Sequence, residues 1–266
     1  MERLAKRIAG SGVCSRRDAE KLILEGRVTV DGVVVSTPAF NVDTTNMVSV
    51  DGRDLLDKPK SRLWGFYKPV GLITTHKDPQ GRPTVFERLP SKMPRVVSVG
   101  RLDLNSEGLL LLTTDSQISR HAELPTTQWP RYYKVRVFGE VDPRELADLK
   151  GGITIDGIHY GRIDAEIDRQ SGRNTWLFMT LYEGKNREIR EVMRHLGLQV
   201  NRLIRVAYGP FQLQDKQPGD LWEISYTEFA KHFPFFNNKA DEPAKKTLSL
   251  KKPPTRRLPP KPKRTR

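Results

Sequence analysis

Three stretches with different patterning follow one another along the 266 residues. In the first, Leu4 and Ile8 lie one turn apart, which predicts a short amphipathic helix. A second helix is predicted after Gly10-Ser11-Gly12. Ser15 is its N-cap with Asp18 three residues on, Ala19, Leu22 and Ile23 form its apolar stripe, and Gly26 ends it. Arg16, Arg17 and Lys21 fall on the opposite face. Val28-Thr29-Val30 and Val33-Val34-Val35 flank Asp31-Gly32, the pattern of a hairpin with a tight turn. Two short helices and a hairpin bury little surface alone.

Residues 51–61 read as a polar linker. Beyond it, 62–229 mixes strand-like and helical patterning. Strands are predicted at 63–67, 96–99, 109–113, 133–138 and 175–181, and helices at 116–122, 143–149 and 187–196. Strands outnumber helices without strict alternation. The expected class is therefore α+β, with a mixed, mainly antiparallel sheet flanked by helices. The domain reading is 1–57, 58–238 and a tail, 239–266. Six prolines and no aromatic residue in that tail predict disorder.

Charge sharpens this division. The chain carries 46 Lys and Arg against 32 Asp and Glu, a net charge of +14. The tail holds +9 of it, residues 1–57 are at −1, and the middle segment has +6. An excess of this size points to a polyanionic partner, and the tail would add salt-sensitive phosphate attraction. No run of about 18 apolar residues exists, so no membrane span is expected. The first residues lack an apolar export stretch, and the expected compartment is the cytoplasm. A lone cysteine, Cys14, excludes an internal disulfide framework. Five scattered histidines without cysteine partners argue against zinc, and no metal is expected.

Several chemistries lack their motifs. There is no phosphate-binding Gly-x-x-x-x-Gly-Lys-Ser/Thr loop, no third glycine or preceding strand for Gly10-Ser11-Gly12, and no Gly-x-Ser-x-Gly elbow. No glycine-rich methyl-donor loop follows a strand either. What remains is Gly100-Arg101-Leu102-Asp103-Leu104-Asn105-Ser106-Glu107-Gly108 ahead of a run of leucines. By pattern alone, an aspartate beside Asn and Ser is ordinary turn chemistry. Asp103 and Glu107 also make a carboxylate pair of a commonplace kind.

The identity of the residues goes further than their pattern. Gly-Arg-Leu-Asp, a small hydroxyl residue, Gly108 and the leucine run are similar to the signature loop of RNA pseudouridine synthases. Tyr67-Lys68-Pro69-Val70-Gly71-Leu72-Ile73-Thr74-Thr75 and Asp78-Pro79-Gln80-Gly81-Arg82-Pro83-Thr84-Val85 resemble upstream motifs of the branch acting on ribosomal RNA of both subunits. Glu183-Gly184-Lys185-Asn186-Arg187-Glu188-Ile189-Arg190 and Val200-Asn201-Arg202-Leu203-Ile204-Arg205-Val206 resemble its later motifs. Residues 15–23 and 26–32 are similar to the S-four RNA-binding domain, over about residues 2–50. Together the resemblances span about residues 2–225.

That resemblance implies a pseudouridine synthase fold behind an S-four-like domain, and an isomerase that breaks the N1–C1′ bond of uridine and rejoins C5 to C1′. No cofactor is implied, since nothing is oxidised or hydrolysed. It places the essential aspartate at Asp103, as nucleophile or base, with the Arg190 guanidinium beside it to keep it ionised. It places the base-stacking tyrosine at Tyr133 or Tyr132, with the register favouring Tyr133. Here the sequence departs from the family, with Arg131 where a lysine is usual. Leu203 would pack the base from the other side, and Arg101 would fill the stack vacated by the flipped nucleotide. Lys185, Arg187, Arg194, Arg202 and Arg205 would form a basic rim, and Arg16, Arg17 and Lys21 would bind RNA from the first domain. The implied partner is ribosomal RNA, 23S before 16S, free or in an assembly intermediate, and the expected state is a monomer. The rival expectation is a ribosome-assembly factor that binds RNA without turnover.

Overall fold

The computed structural model describes residues 1–56 and 59–236; the basic tail at 239–266 lies outside them. The first unit forms as its patterning predicts. Helix Leu4–Gly10 buries Leu4, Ala5 and Ile8, and helix Arg16–Leu24 buries Ala19 and Ile23. Ser15 caps the second helix, its hydroxyl accepting the Asp18 N–H and donating to the Asp18 carboxylate. Strand Val28–Val30 pairs with Val33–Val34 through a turn in which Asp31 and Gly32 both have positive φ. On its other side it pairs with Val48–Val50.

Here the linker expected at 51–61 is corrected. Asp51 (φ 50°) and Gly52 (φ 73°) make a second turn of the same kind, and Arg53–Asp54 returns to pair with Val48–Val50. Polar residues at 51–54 are turn and edge positions, so their polarity does not mark a linker.

The second unit is built on one nine-stranded sheet. In order across it run Ile163–Ser171, Asn174–Leu181, Arg131–Phe138, Gln199–Tyr208, Glu107–Thr113, Leu63–Lys68 and Leu221–Ile224, with Val97–Val99 and Phe211–Gln212 pairing alongside. All pairings are antiparallel but one. Gln199–Tyr208 meets Glu107–Thr113 in parallel, through Ile204 opposite Glu107 and Arg205 opposite Gly108. The sheet is thus two antiparallel halves joined at a parallel seam, and the α+β class with a mainly antiparallel sheet holds.

The leucine run explains the seam's stability. Leu109 and Leu111 point into one apolar cluster, Leu110 and Leu112 into another on the opposite face, and all four are buried. A strand covered on both faces reads as a continuous apolar run, not an alternating one. Across the other half, Val135, Val137, Leu177 and Met179 pack under helix Glu188–His195 through Ile189, Val192 and Met193. The strand Ile163–Ser171 was not anticipated. It lies at the sheet edge, most of its side chains are exposed, and it carries little apolar signal.

Candidate active site

Asp103 sits on a loop just before the seam, and the loop's backbone is held from several directions. The Thr74 hydroxyl donates to the Leu102 carbonyl at 2.9 Å, and Gly71 N–H donates to the Leu104 carbonyl at 2.8 Å. Lys68 is fully buried, and its ammonium donates to the carbonyls of Pro69 (3.0 Å), Asp103 (3.0 Å) and Ser106 (2.7 Å). Arg190 Nη2 donates to the Asn105 carbonyl at 2.9 Å. Gly108 closes the loop at φ 108°, where the Arg205 carbonyl would stand 2.3 Å from any added Cβ. A loop tied this way presents its carboxylate with little freedom.

The Asp103 carboxylate opens onto a cleft of about 650 Å³ across the seam. Arg101, Tyr133, Leu203, Lys185, Arg187 and Arg190 all line it, so residues far apart in sequence converge on one space. Tyr133 and Tyr132 separate here. Successive strand residues face opposite ways, and the Tyr132 ring instead stacks near Phe178 (centroids 6.1 Å apart). Leu203 is buried in the cleft wall, and Arg101 is exposed at its edge. Arg16, Arg17 and Lys21 lie exposed on the helix of the first unit.

Three arginines differ from expectation. The ion-pair partner of Asp103 is Arg187, Nη1 to Oδ2 at 3.9 Å, rather than Arg190. Arg190 spends its guanidinium on the carbonyls of Val200 (3.2 Å) and Asn105, so it acts on the loop backbone. Burial lowers its proton affinity, as does the neighbouring Arg187 charge, while Asp103 opposes both. Arg205 is no rim residue. It is buried in the cleft wall, donates from Nε to the Leu109 carbonyl at 2.8 Å, and lies 5.0 Å from the Tyr208 ring centre. Arg202 lies off the cleft and forks onto the buried Glu107 carboxylate at 2.6 and 3.2 Å. The Asp103–Glu107 acid pair is thereby excluded, because Glu107 is committed to Arg202 and turned from the cleft. Arg194 pairs with Glu191 (3.0 Å) and Asp156 (3.5 Å), beside a shallower groove shared with Arg187 and Arg190.

Two residues of the site were missed in the sequence. Lys68 ends the buried strand Leu63–Lys68, and a lysine closing such an apolar run was the available signal. Burial lowers its pKa to about 8, although Asp103 acts in the opposite sense. Glu188, at the start of helix Glu188–His195, lines the cleft yet is only 3% exposed. Burial pushes its carboxyl up to about 7, and the charge of Glu183 adds to the effect.

Comparison with known proteins places this geometry. The sequence pattern of the RNA pseudouridylate synthase family matches residues 62–195, and that of the S4 domain matches residues 2–48. The chain belongs to the RNA pseudouridine synthase family, and it is an isomerase that makes pseudouridine in RNA, with an RNA-binding S4 domain. It is 53% identical over 225 residues to an uncharacterized RNA pseudouridine synthase of Rickettsia bellii, covering 85% of this chain and 97% of the relative. It is 40% identical over 235 residues to ribosomal large subunit pseudouridine synthase B of Salmonella typhi, covering 85% and 80%. In fold it is similar to a crystal structure of a pseudouridylate synthase, with a TM-score of 0.62 at 23% identity, over 87% of this chain and 99% of that one. Among the described residues, no helix is long and apolar enough to cross a membrane.

Proposed function

We propose that the enzyme isomerises one or a few uridines of large-subunit ribosomal RNA, the 23S RNA, with Asp103 as the reacting carboxylate. The observation that carries this is the placement of Asp103, fixed by backbone clamps on a cleft that also holds Arg187, Tyr133 and Leu203. The large-subunit assignment is supported by the relatives called ribosomal large subunit pseudouridine synthase B in Salmonella typhi and Pasteurella multocida.

In the proposed reaction the target nucleotide is extruded from its stack, which costs a few kcal/mol. Arg101 takes the vacated place. Tyr133 and Leu203 hold the uracil between an aromatic face and an aliphatic wall. Asp103 attacks the sugar or removes a proton from it, the N1–C1′ bond breaks, and the uracil turns. C5 then bonds to C1′ as the Asp103 carboxylate leaves the sugar or returns the proton it took, the C5 proton departs and N1 gains one, so atoms balance without a co-reactant. Arg187 compensates the Asp103 charge while Arg190 holds the loop. Lys185 and Arg187 at the cleft, Arg194 in the adjoining groove, and Arg16, Arg17 and Lys21 on the S4 domain contact RNA phosphates. The enzyme works as a cytoplasmic monomer on free RNA or an assembling subunit.

Tritium release from 23S RNA labelled at uracil C5 tests the proposal. Wild type is expected to release tritium and Asp103→Asn to release none while binding RNA as before. An Asp103→Asn variant as active as wild type refutes the role of Asp103, and a wild type inert on 23S but active on 16S RNA refutes the substrate. Turnover on neither RNA, with binding intact, would favour a non-catalytic assembly factor. Removing 239–266 is expected to weaken binding and leave single-turnover rates at saturating RNA unchanged; a rate as low as that of Asp103→Asn would refute this role for the tail.

A further inference from the structure

Arg205 places a cation in the cleft wall without an anion beside it. It is 3% exposed, its Nε donates to the Leu109 carbonyl across the seam at 2.8 Å, and its guanidinium carbon stands 5.0 Å from the Tyr208 ring centre. That uses one of its five N–H groups. Among the described residues neither terminal nitrogen has a partner, no carboxylate pairs with the guanidinium, and Nη2 is buried unpartnered. Arg131, on the other strand and also beside Tyr208, differs. Its terminal nitrogens donate to the carbonyls of Trp129 (2.9 Å) and Tyr182 (3.0 Å) and to the Tyr208 hydroxyl (3.1 Å). Burying an unpaired charge is costly, so Arg205 calls for a partner that arrives with the substrate.

The register of the sheet says which part of the substrate that is. Arg205 stands directly opposite Tyr133 where Gln199–Tyr208 pairs with Arg131–Phe138, and it follows Leu203 by two positions. Residues related in these ways share one face of a sheet. All three line the cleft with Asp103. A uracil between Tyr133 and Leu203 therefore turns an edge to Arg205. Phosphates are left to Lys185 and Arg187, which are exposed.

We propose that the Arg205 guanidinium donates to a uracil carbonyl and compensates the negative charge that the uracil takes up when the N1–C1′ bond breaks. The inference rests on the uracil lying between Tyr133 and Leu203. In that step the bond's electron pair leaves with the uracil, and the charge spreads over N1, O2 and O4. Meanwhile C1′ bonds to Asp103, or the sugar passes a proton to it. A fixed cation facing the oxygens where charge develops favours cleavage over the bound ground state. The uracil then turns about the line through N3 and C6. That motion exchanges N1 with C5 and O2 with O4, so one donor meets a carbonyl before and after it. C5 supplies the electron pair for the new bond to C1′ as Asp103 leaves or returns its proton, the C5 proton departs, and N1 gains one.

The test uses single-turnover conversion of an RNA fragment carrying uridine, 2-thiouridine or 4-thiouridine at the modified position, because sulfur accepts hydrogen bonds weakly. Wild type is compared with Arg205→Met and with Arg205→Gln, whose amide keeps a donor for the Leu109 carbonyl. Each variant is expected to lose about a hundredfold in rate, with RNA affinity within about threefold of wild type. One of the two sulfur substitutions is expected to slow wild type about tenfold more than it slows the variants. Equal sulfur effects in all three proteins would overturn the proposal, since a structural role or a phosphate contact produces that result. Nitrogen-15 NMR of the arginine side chains in wild type needs no substitution. The Arg205 resonances are expected to shift when the bound fragment carries pseudouridine at the modified position, and to shift little when it carries an abasic sugar there. Equal shifts with both would also overturn the proposal. The fragment comes from whichever RNA wild type modifies, so a failure of the 23S assignment leaves both measurements standing. A Tyr133→Ala variant as fast as wild type refutes the placement of the uracil, whereas equal sulfur effects beside an impaired Tyr133→Ala remove Arg205 alone.

Discussion

Replacing Lys68 by methionine probes how the loop is held. In the wild type, an ammonium with no exposure satisfies three backbone carbonyls, one of them that of Asp103. Burial, offset in part by the Asp103 charge, lowers its pKa from 10.5 to about 8, a net penalty on the charged form of roughly 3 kcal/mol that disappears when the charge is deleted. Against this stand three hydrogen bonds from a charged donor, each contributing about 1.5–3 kcal/mol. Lys68→Met is therefore expected to lose about 3 kcal/mol in urea unfolding at neutral pH. Single-turnover tritium release should fall about a hundredfold, because the Asp103 carbonyl loses its donor and the carboxylate moves. The pH dependence has a definite sign. A base whose folded pKa is depressed contributes stability that is present above 10.5 and lost as pH falls through about 8. Wild type should thus gain stability relative to Lys68→Met as pH rises from about 8 to 10.5. Equal stability and turnover at neutral pH, with parallel stability curves above it, would refute the clamp.

Two further substitutions test the seam. Gly108→Ala places a Cβ 2.3 Å from the Arg205 carbonyl oxygen and 2.7 Å from its nitrogen, both backbone atoms. Thermal unfolding should show a loss of about 3 kcal/mol or more, and a variant as stable as wild type contradicts the packing at the seam. Arg202→Met strips Glu107 of its forked partner, leaving a buried carboxylate with the Tyr67 hydroxyl at 3.3 Å. About 2 kcal/mol should be lost, less than for a fully buried pair because Arg202 is half exposed. Most should return in the Arg202→Met/Glu107→Gln double variant, and additive losses in that cycle would argue against the pairing.

Much of the molecule was legible before folding. The capped helix at Ser15, the Asp-Gly hairpin and the leucine run all formed where their patterning placed them, because local preferences and burial agree there. The polar stretch at 51–54 misled because a tight turn and a linker share the same residues. The exposed strand Ile163–Ser171 and the strand Gln199–Tyr208 carry weak periodicity, since partners distant in sequence supply their order.

At the site, motif and chemistry pointed to the Gly100–Gly108 loop, to Asp103 and to the segment around Arg187 and Arg190. Sequence order alone also defined the two units and the mainly antiparallel sheet. It could not say which guanidinium meets the carboxylate. That depends on the left-handed turn at Arg187, which sends its side chain to Asp103, while Arg190, inside the following helix, is spent on carbonyls. Nor could it show that Arg205 is buried, that Arg202 belongs to Glu107, or that Lys68 and Glu188 lie beneath the cleft. Arg205 meets Leu109 and Arg202 meets Glu107 only across the parallel seam, nearly a hundred positions apart in sequence, and Lys68 reaches the Asp103 and Ser106 carbonyls through the antiparallel pairing beside it. Burial, which decides the charge and partner of each group, exists only once that seam has closed.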